Sequence, residues 1–347
     1  MKLFDFKKYL IPGLSLLTLV SLTGCYEDYV RDYDYSGVYV AYQYDLRTFV
    51  VGEGMEFKVG AVLGGVISND KDREVWYAFD DNLVTSDLRQ FVPAAEGPFT
   101  AFTEMSGTTS VGAVSQDYVK TAIASSGITS LTPLPSDAVK VPEGNCIRIA
   151  RGKHTGTITV KADSLAFLSL PNAGPEPYYA IGFRITSANV DTVLRSKSYE
   201  VIALRYENML FGNWYHNGKT EIYDAGGNLQ ETKAYHKEIN SDDLCVLRTI
   251  APDTVQADKT GYLAGQLNIT LKDGALSLSD AAGGPAVIDL GSSYNGARLL
   301  QDRKLYLNYS FTDAAGLRNV VTDTLSFRNR IRDGVNEWQD ENSEHYN

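Results

Sequence analysis

Alternation of apolar and polar side chains is the feature that most constrains the fold of this 347-residue chain. The clearest run places its larger apolar residues at every second position, at Met55, Phe57, Val59, Ala61 and Leu63. A period of two puts one set of side chains on one face of a strand, which is typical of a half-buried β-strand. Shorter runs predict further strands at 39–44, 75–79, 146–149, 156–160, 179–185 and 199–206, with a helical turn at 163–168.

These short strands predict an immunoglobulin-like β-sandwich over residues 37–206. Residues 80–140 interrupt the pattern, because they are rich in Ser, Thr, Gly and Pro. We therefore expect a long insertion in the sandwich at about 80–140.

A second β unit is predicted over residues 207–330. Turn sequences such as Asp273-Gly274 and 313–316 separate alternating runs, as in successive hairpins. This pattern predicts an antiparallel meander or a lipocalin-like β-barrel. Gly212 and Trp214 resemble the Gly-x-Trp opening of lipocalin-like barrels. Residues 331–347 form a polar tail, for which we expect either a short helix around Val335 and Trp338 or no regular structure.

The N-terminus resembles a bacterial lipoprotein signal. Three early lysines precede an uncharged apolar run at 10–22. That run is too short to span a bilayer core of about 30 Å, but it has the length of a signal-peptide core. It ends in Leu22-Thr23-Gly24-Cys25, which resembles the lipobox. We expect residues 1–24 to be removed, Cys25 to carry lipid, and 25–36 to be a tether; a plain secretion signal with an incidental cysteine is the alternative.

Glu27 and Asp28 lie directly behind Cys25. Acidic residues at this place resemble the export signal of Bacteroidetes surface lipoproteins. The predicted location is therefore the outer membrane, lipid-anchored and facing the cell exterior, and two acyl chains anchor a protein durably. The alternative is a solvated acidic linker.

Charge and cysteine content restrict the partners and the chemistry. The formal net charge is −11, which argues against nucleic acid because its phosphates require a basic face. Cys146 and Cys245 lie about a hundred residues apart among strand-like apolar residues. A disulfide is allowed outside the inner membrane, but this placement favours two separate buried thiols.

Five strings together resemble one protein family: 57–66 (FKVGAVLGGV), 152–160 (GKHTGTITV), 183–188 (FRITSA), 300–304 (LQDRK) and 330–338 (RIRDGVNEW). The resemblance is to a Bacteroidetes surface lipoprotein family. Its N-terminal domain of unknown function also precedes family 18 glycosidase modules, and its C-terminal domain is an uncharacterised β module. Members are encoded among polysaccharide-utilisation genes, beside outer-membrane glycan importers. The resemblance implies an accessory that binds or presents glycan, and it carries over no catalytic residue.

Motifs for catalysis, cofactors and metals are missing from the sequence. There is no family 18 Asp-x-x-Asp-x-Asp-x-Glu run, phosphate loop or Gly-x-Ser-x-Gly elbow. His154, His216, His236 and His345 lack zinc-site spacing, and the acidic stretch 333–341 lacks that of a calcium loop. We predict no enzyme, cofactor or metal. A catalytic carboxylate pair formed by distant residues stays open, because glycoside hydrolysis needs two carboxyls across a cleft.

Aromatic rings remain as candidate ligand contacts, because sugars present C–H faces that stack on exposed rings. The candidates are Trp76, Tyr77, Tyr178, Tyr179, Trp214, Tyr215 and Trp338. Trp214 and Tyr215 are adjacent on a predicted strand, so they point to opposite faces and at most one is buried. The predicted function is a non-enzymatic glycan-binding accessory. A structural or partner-binding module of an outer-membrane complex, and an unrecognised glycoside hydrolase, are the alternatives.

Overall fold

The computed structural model describes residues 35–84, 131–235 and 244–340. The predicted signal peptide, Cys25, the acidic pair behind it, most of the tether and 85–130 of the predicted insertion lie outside these residues. The described part is nearly all β, which confirms the predicted fold class. No helix among the described residues is long and apolar enough to cross a membrane.

The first unit is a β-sandwich. Its strands are β1 (Gly37–Tyr39), β2 (Tyr44–Val51), β3 (Glu56–Gly64), β4 (Arg73–Phe79), β5 (Thr132–Pro133), β6 (Val139–Lys140), β7 (Cys146–Ile149), β8 (Thr155–Ala162), β9 (Tyr179–Ala188), β10 (Thr192–Val193) and β11 (Tyr199–Asn208). One helix, α1 (Ser164–Leu168), and 3-10 turns at Asp81–Leu83 and Arg195–Lys197 join them. Asp163 caps α1 by accepting a hydrogen bond from the Ala166 N–H at 3.2 Å, which confirms the predicted helical turn.

Two sheets face each other in this unit. One has the order β10-β1-β3-β8-β6 and the other β2-β11-β9-β4-β7, with β5 beside β9. Apart from β2, β5, β7 and β10, this order is that of an immunoglobulin-like sandwich, as predicted. Val59, Ile147, Phe183 and Ile202 belong to a single buried cluster between the sheets.

The strand predicted at 39–44 is wrong. Tyr39 ends β1 in one sheet and Tyr44 begins β2 in the other, so the intervening residues cross between sheets. Val40 is fully buried at this crossing, and its carbonyl accepts a hydrogen bond from Gln43 Nε2 at 3.1 Å. Alternating apolar residues look alike in a strand and in such a crossing, because both bury every second side chain.

The second unit is a nearly closed antiparallel barrel. Its strands are β12 (Gly212–Tyr223), β13 (Leu229–Tyr235), β14 (Leu244–Ala251), β15 (Thr254–Thr260), β16 (Leu263–Lys272), β17 (Ala275–Asp280), β18 (Val287–Asp289), β19 (Ser293–Tyr294), β20 (Lys304–Thr312), β21 (Arg318–Arg332) and β22 (Val335–Glu337), with a 3-10 turn at Leu300–Asp302. The sheet order is β17-β16-β15-β14-β12-β21-β20-β18. This confirms the predicted meander or barrel.

Two aspartate side chains join β17 and β18 through hydrogen bonds to backbone N–H groups. Asp280 Oδ1 accepts the Val287 N–H at 2.6 Å, and Asp289 Oδ2 accepts the Leu278 N–H at 3.0 Å. β17 and β18 lie at opposite ends of the sheet order and are not paired with each other, so these bonds satisfy backbone donors that lack a strand partner there. Cys245 in the barrel and Cys146 in the sandwich are both free thiols, as predicted, but only Cys245 is buried and Cys146 is half-buried.

A buried polar cluster occupies the barrel interior beside the apolar core. Asp323 is 3% exposed and accepts a hydrogen bond from the Tyr235 hydroxyl, while its Oδ2 lies 2.9 Å from His216 Nε2. Burial and then the Asp323 charge raise the pKa of Tyr235 well above its ordinary value. The Tyr309 hydroxyl accepts the Gly261 N–H at 2.6 Å nearby.

The predicted tail contains a hairpin instead of a helix or an irregular segment. β21 runs to Arg332 and pairs with β22, with Ile331 opposite Asn336. Asp333 and Gly334 form the turn with φ of 51° and 79°. An Asp-Gly pair tolerates two successive positive φ angles, which favours a tight hairpin over a helix.

The β21–β22 hairpin of the barrel forms hydrogen bonds and an ion pair with the sandwich. Asp333 accepts hydrogen bonds from the Thr48 N–H at 3.1 Å and from the Thr48 hydroxyl at 2.6 Å. Glu53, in the turn between β2 and β3, lies 2.7 Å from both Arg303 Nη1 and Arg330 Nη2. Both guanidiniums are essentially fully buried. The two units therefore share a buried ionic cluster, which we call the Glu53 cluster.

Candidate functional site

Three predicted rings belong to the protein core. Trp214 is 0% exposed, and Tyr77 and Tyr179 are each 5% exposed. The Trp214 indole N–H donates to the Leu210 carbonyl at 3.0 Å, and its ring meets Phe327 edge-on at 5.4 Å. The Tyr179 hydroxyl donates to the Pro171 carbonyl at 2.6 Å. Burial removes these three rings from any surface that a ligand contacts.

Two further candidates are half-buried on the sandwich. Tyr178 packs against the sandwich core and meets Tyr179 edge-on at 5.0 Å. Trp76 lies in β4 at a bulge, opposite Cys146 of β7 and Ser187 of β9. These rings lie in the other unit from Tyr215 and Trp338.

Tyr215 and Trp338 lie on the outer surface of the barrel unit. β12 directs Trp214 into the core and Tyr215 outward, which confirms the predicted opposition of these neighbours. Trp338 directly follows β22 and is 57% exposed. Glu337 contacts Arg330 and Arg332 on the sandwich side, so alternation leaves Asn336 and Trp338 facing solvent.

A row of asparagine amides connects the surroundings of these two rings. Asn213 of β12 pairs with Asn329 of β21, and Asn213 Nδ2 donates to Asn329 Oδ1 at 3.1 Å. Asn329 Nδ2 then donates to Asn336 Oδ1 of β22 at 2.6 Å. Three adjacent strands thus each contribute one amide, and neighbouring strands lie about 4.8 Å apart.

Arg328 adds a cationic donor at the Tyr215 end of the row. A bulge shifts the pairing of β12 and β21 at Asn213 and Trp214, so Arg328 has no direct partner there. Its guanidinium lies 6.0 Å from the centre of the Tyr215 ring. We call the surface formed by Tyr215, Arg328, Asn213, Asn329, Asn336 and Trp338 the amide strip.

The amide strip combines hydrogen-bonding groups with rings at both ends. Each amide offers a carbonyl acceptor and two N–H donors, and the row uses only part of this capacity. Such groups match ligands that carry many hydroxyls, while the rings match apolar C–H faces. The strip consists of neutral amides, two rings and one guanidinium, which form hydrogen bonds and stacking contacts. Within the described ranges no group of three or more His, Cys, Asp or Glu is placed to hold a metal.

The sequence interpretation found the two rings and missed the three asparagines. Alternation along β12 places Asn213 on the face of Tyr215, and this relation was available from the sequence. The positions of Asn329 and Asn336 could not be predicted from alternation, because their neighbours depend on the register between β12, β21 and the unexpected β22.

Solved structures share this fold. A protein of unknown function from Bacteroides ovatus superposes with a TM-score of 0.60 at 14% identity, covering 89% of this chain and 99% of that one. At that identity the likeness concerns the fold alone. No protein-family model and no curated protein matches the chain.

Two more distant structures have TM-scores below 0.5 and carry no argument about this chain. One is a multidomain protein including DUF1735 from Bacteroides ovatus, with a TM-score of 0.35 at 10% identity, covering 88% of this chain and 100% of that one. The other is an auxiliary nutrient binding protein from Bacteroides thetaiotaomicron, with a TM-score of 0.35 at 12% identity, covering 86% and 95%.

Proposed function

We propose that this protein is a lipid-anchored accessory on the outer surface of the outer membrane, which binds glycan and presents it to an importer without catalysis. The amide strip is the observation that carries this proposal. The lipobox-like sequence at Cys25 and the acidic pair behind it support the location. The resemblance to surface lipoproteins encoded beside glycan importers supports the biological setting.

Binding at the amide strip would divide between rings and amides. Trp338 and Tyr215 stack on sugar faces at the two ends, and the asparagines between them exchange hydrogen bonds with hydroxyls. The row crosses β12, β21 and β22, so the strip suits an extended chain rather than a single sugar ring. A lipid tether at Cys25 would keep the weak binding sites of neighbouring protein molecules close together on the membrane. This proximity raises the effective concentration of captured glycan.

Affinity gels with a panel of plant, host and bacterial polysaccharides test this proposal, followed by calorimetry on each polysaccharide that retards the protein. Trp338→Ala removes an exposed ring and should weaken binding about tenfold or more, as expected for an aromatic anchor. Asn329→Ala breaks the amide row at its centre and should also weaken binding.

Tyr306→Ala provides the matched control. Tyr306 is also an exposed ring of the barrel, at 40%, but it lies on β20 outside the amide strip. Its removal should leave affinity unchanged. Equal losses for Trp338→Ala and Tyr306→Ala would contradict the assignment of the strip, and released oligosaccharide after long incubation would contradict the non-catalytic role.

A structural role is the second candidate function, and the Glu53 cluster favours it. A buried ionic cluster shared by two units resists their relative motion, as a rigid spacer in a membrane complex requires. This role predicts co-purification with an outer-membrane importer and no retardation by any polysaccharide in the panel.

A further inference from the structure

Successive arginines near the end of β21 differ in whether a carboxylate neutralises them. Arg330 Nη2 lies 2.7 Å from Glu53, and Arg332 Nη2 lies 2.5 Å from Glu337. The Arg328 guanidinium forms no ion pair and no hydrogen bond with any residue that the structure describes. Asp and Glu outnumber Lys and Arg by 43 to 32 in this chain, so the missing partner does not reflect a shortage of carboxylates.

Arg328 is held against the barrel surface at the Tyr215 end of the amide strip. It is half-buried, and its guanidinium lies 6.0 Å from the centre of the Tyr215 ring. A half-buried cation is partly removed from water, so it attracts an anion more strongly than a fully exposed one does. Lys304 of β20 is exposed and pairs with Ser326, two residues before Arg328, and it forms no ion pair with a described residue either. This part of the barrel surface is therefore locally cationic.

The carboxylates that flank Trp338 in sequence, at the other end of the strip, are engaged elsewhere. Glu337 contacts Arg330 on the sandwich side of the hairpin. Asp340 Oδ2 accepts a hydrogen bond from the Leu300 N–H at 2.7 Å. The amide strip itself therefore contains one positive charge and no negative charge.

The geometry of a guanidinium indicates which anion suits Arg328. Its five N–H donors form a planar fork, which matches the two oxygens of a carboxylate. Uronic acids carry such a carboxylate at the edge of the sugar ring. A uronic acid stacked on Tyr215 would bring its carboxylate to Arg328, while the following sugars would face the asparagine amides.

We infer that Arg328 makes the amide strip selective for glycans that contain uronic acid, by pairing with the sugar carboxylate. This inference rests on the proposed function, because it names the class of glycan that the same site binds. Stacking and the amides supply binding that does not depend on charge, and Arg328 adds the preference for the acid.

Calorimetry on the full mature chain tests the inference with hexasaccharides of polygalacturonate, alginate and hyaluronan, each compared with its carboxyl-reduced form. Reduction converts the carboxylate to an alcohol and keeps the sugar rings, so the ratio of the two affinities isolates the charge. At least one acidic hexasaccharide should bind the wild type about tenfold more tightly than its reduced form, and added salt should lower this ratio. Arg328→Gln should make the two forms bind equally. Arg328→Lys keeps the charge without the planar fork and should retain only part of the preference.

Arg318→Gln is the matched control. Arg318 begins the same strand, β21, and is exposed, and it pairs with a tyrosine of β12, Tyr223. It forms no ion pair with a described residue, and it lies about 30 Å along the strand from Arg328. Its replacement should leave the ratio of affinities unchanged, and thermal melts should show all variants folded.

The outcomes separate this inference from the proposed function. Equal binding of acidic and reduced hexasaccharides to the wild type, or an unchanged ratio in Arg328→Gln, overturns the inference and leaves the proposed function unaffected. Binding of neutral polysaccharides but of none of the three acidic hexasaccharides has the same meaning. No binding of any acidic or neutral glycan contradicts the proposed function itself. Trp338→Ala should weaken both forms alike, because its ring stacks on sugars whether or not they are charged.

Discussion

Replacing Glu53 with glutamine keeps the shape of the side chain and removes the negative charge between Arg303 and Arg330. The wild-type carboxylate receives both guanidiniums at 2.7 Å in a site from which water is largely excluded. The variant leaves two buried cations with a neutral amide between them. Glu337, on the other side of Arg330, compensates only one of these cations.

The pKa of Glu53 sets the size of the expected effect. Burial by itself would raise this pKa, but Arg330 and Arg303 outweigh burial and lower it from 4.5 to about 2. A difference of that size corresponds to about 3 kcal/mol of stability at neutral pH. Removing one partner of a buried pair typically costs about 3–5 kcal/mol, so the two estimates agree.

The sign of the pH dependence follows from the lowered pKa. The stabilisation is fully present above the unfolded-state pKa of Glu53, and it is lost as pH falls from about 4.5 to about 2, because over this range the unfolded chain takes up a proton that the folded wild type does not. Urea unfolding of both proteins from pH 7 to pH 2.5 measures this effect. The free energy of unfolding of the wild type should exceed that of Glu53→Gln by about 3 kcal/mol at pH 7. The two values should converge as pH falls.

Glu56→Gln is the control for this experiment. Glu56 lies three residues further along the chain, at the start of β3, but its side chain is 46% exposed, so its loss should cost less than about 0.5 kcal/mol. A Glu53→Gln difference below about 1 kcal/mol at pH 7, or one that stays constant down to pH 2.5, would show that the Glu53 cluster does not stabilise the fold.

Two further predictions concern anchoring and the barrel interior. Cys25→Ser should move the protein from the membrane fraction to the soluble fraction, because a lipobox without its thiol accepts no lipid; retention of radiolabelled palmitate by the variant would refute the predicted lipidation. Asp323→Ala should lower stability by about 2 kcal/mol in urea unfolding, because buried His216 loses its partner and the half-buried Tyr235 hydroxyl keeps only Thr220 Oγ1, at 3.2 Å; a loss below about 0.5 kcal/mol would mean that water replaces the carboxylate.

The barrel shows how far pattern reasoning reaches. Asp273 and Gly274 have φ of 51° and 80°, as a two-residue hairpin turn requires, and the apolar residues on either side alternate as predicted. The Asp333-Gly334 pair has the same chemistry, yet we did not predict a hairpin there. Few apolar residues follow it, so the pattern that identifies a strand was missing.

The amide strip was predictable only in part. Strand periodicity separates Trp214 from Tyr215, which identifies the outward ring of the pair. Strand periodicity does not tell whether Tyr179 at the start of β9 is exposed, and the structure places this ring in the buried cluster of the sandwich. Exposure of a ring depends on what covers it, and that is a property of distant residues.

The sequence by itself determined the β class, the two units and the lipobox-like N-terminus, because strand period, turn residues and signal composition are local. The Glu53 cluster and the amide strip were decided by the tertiary structure. Glu53 meets Arg330 across 277 positions, and Asn213 meets Asn329 across 116. Such contacts follow from strand register and from the packing of one unit on the other, which local residue patterns do not encode.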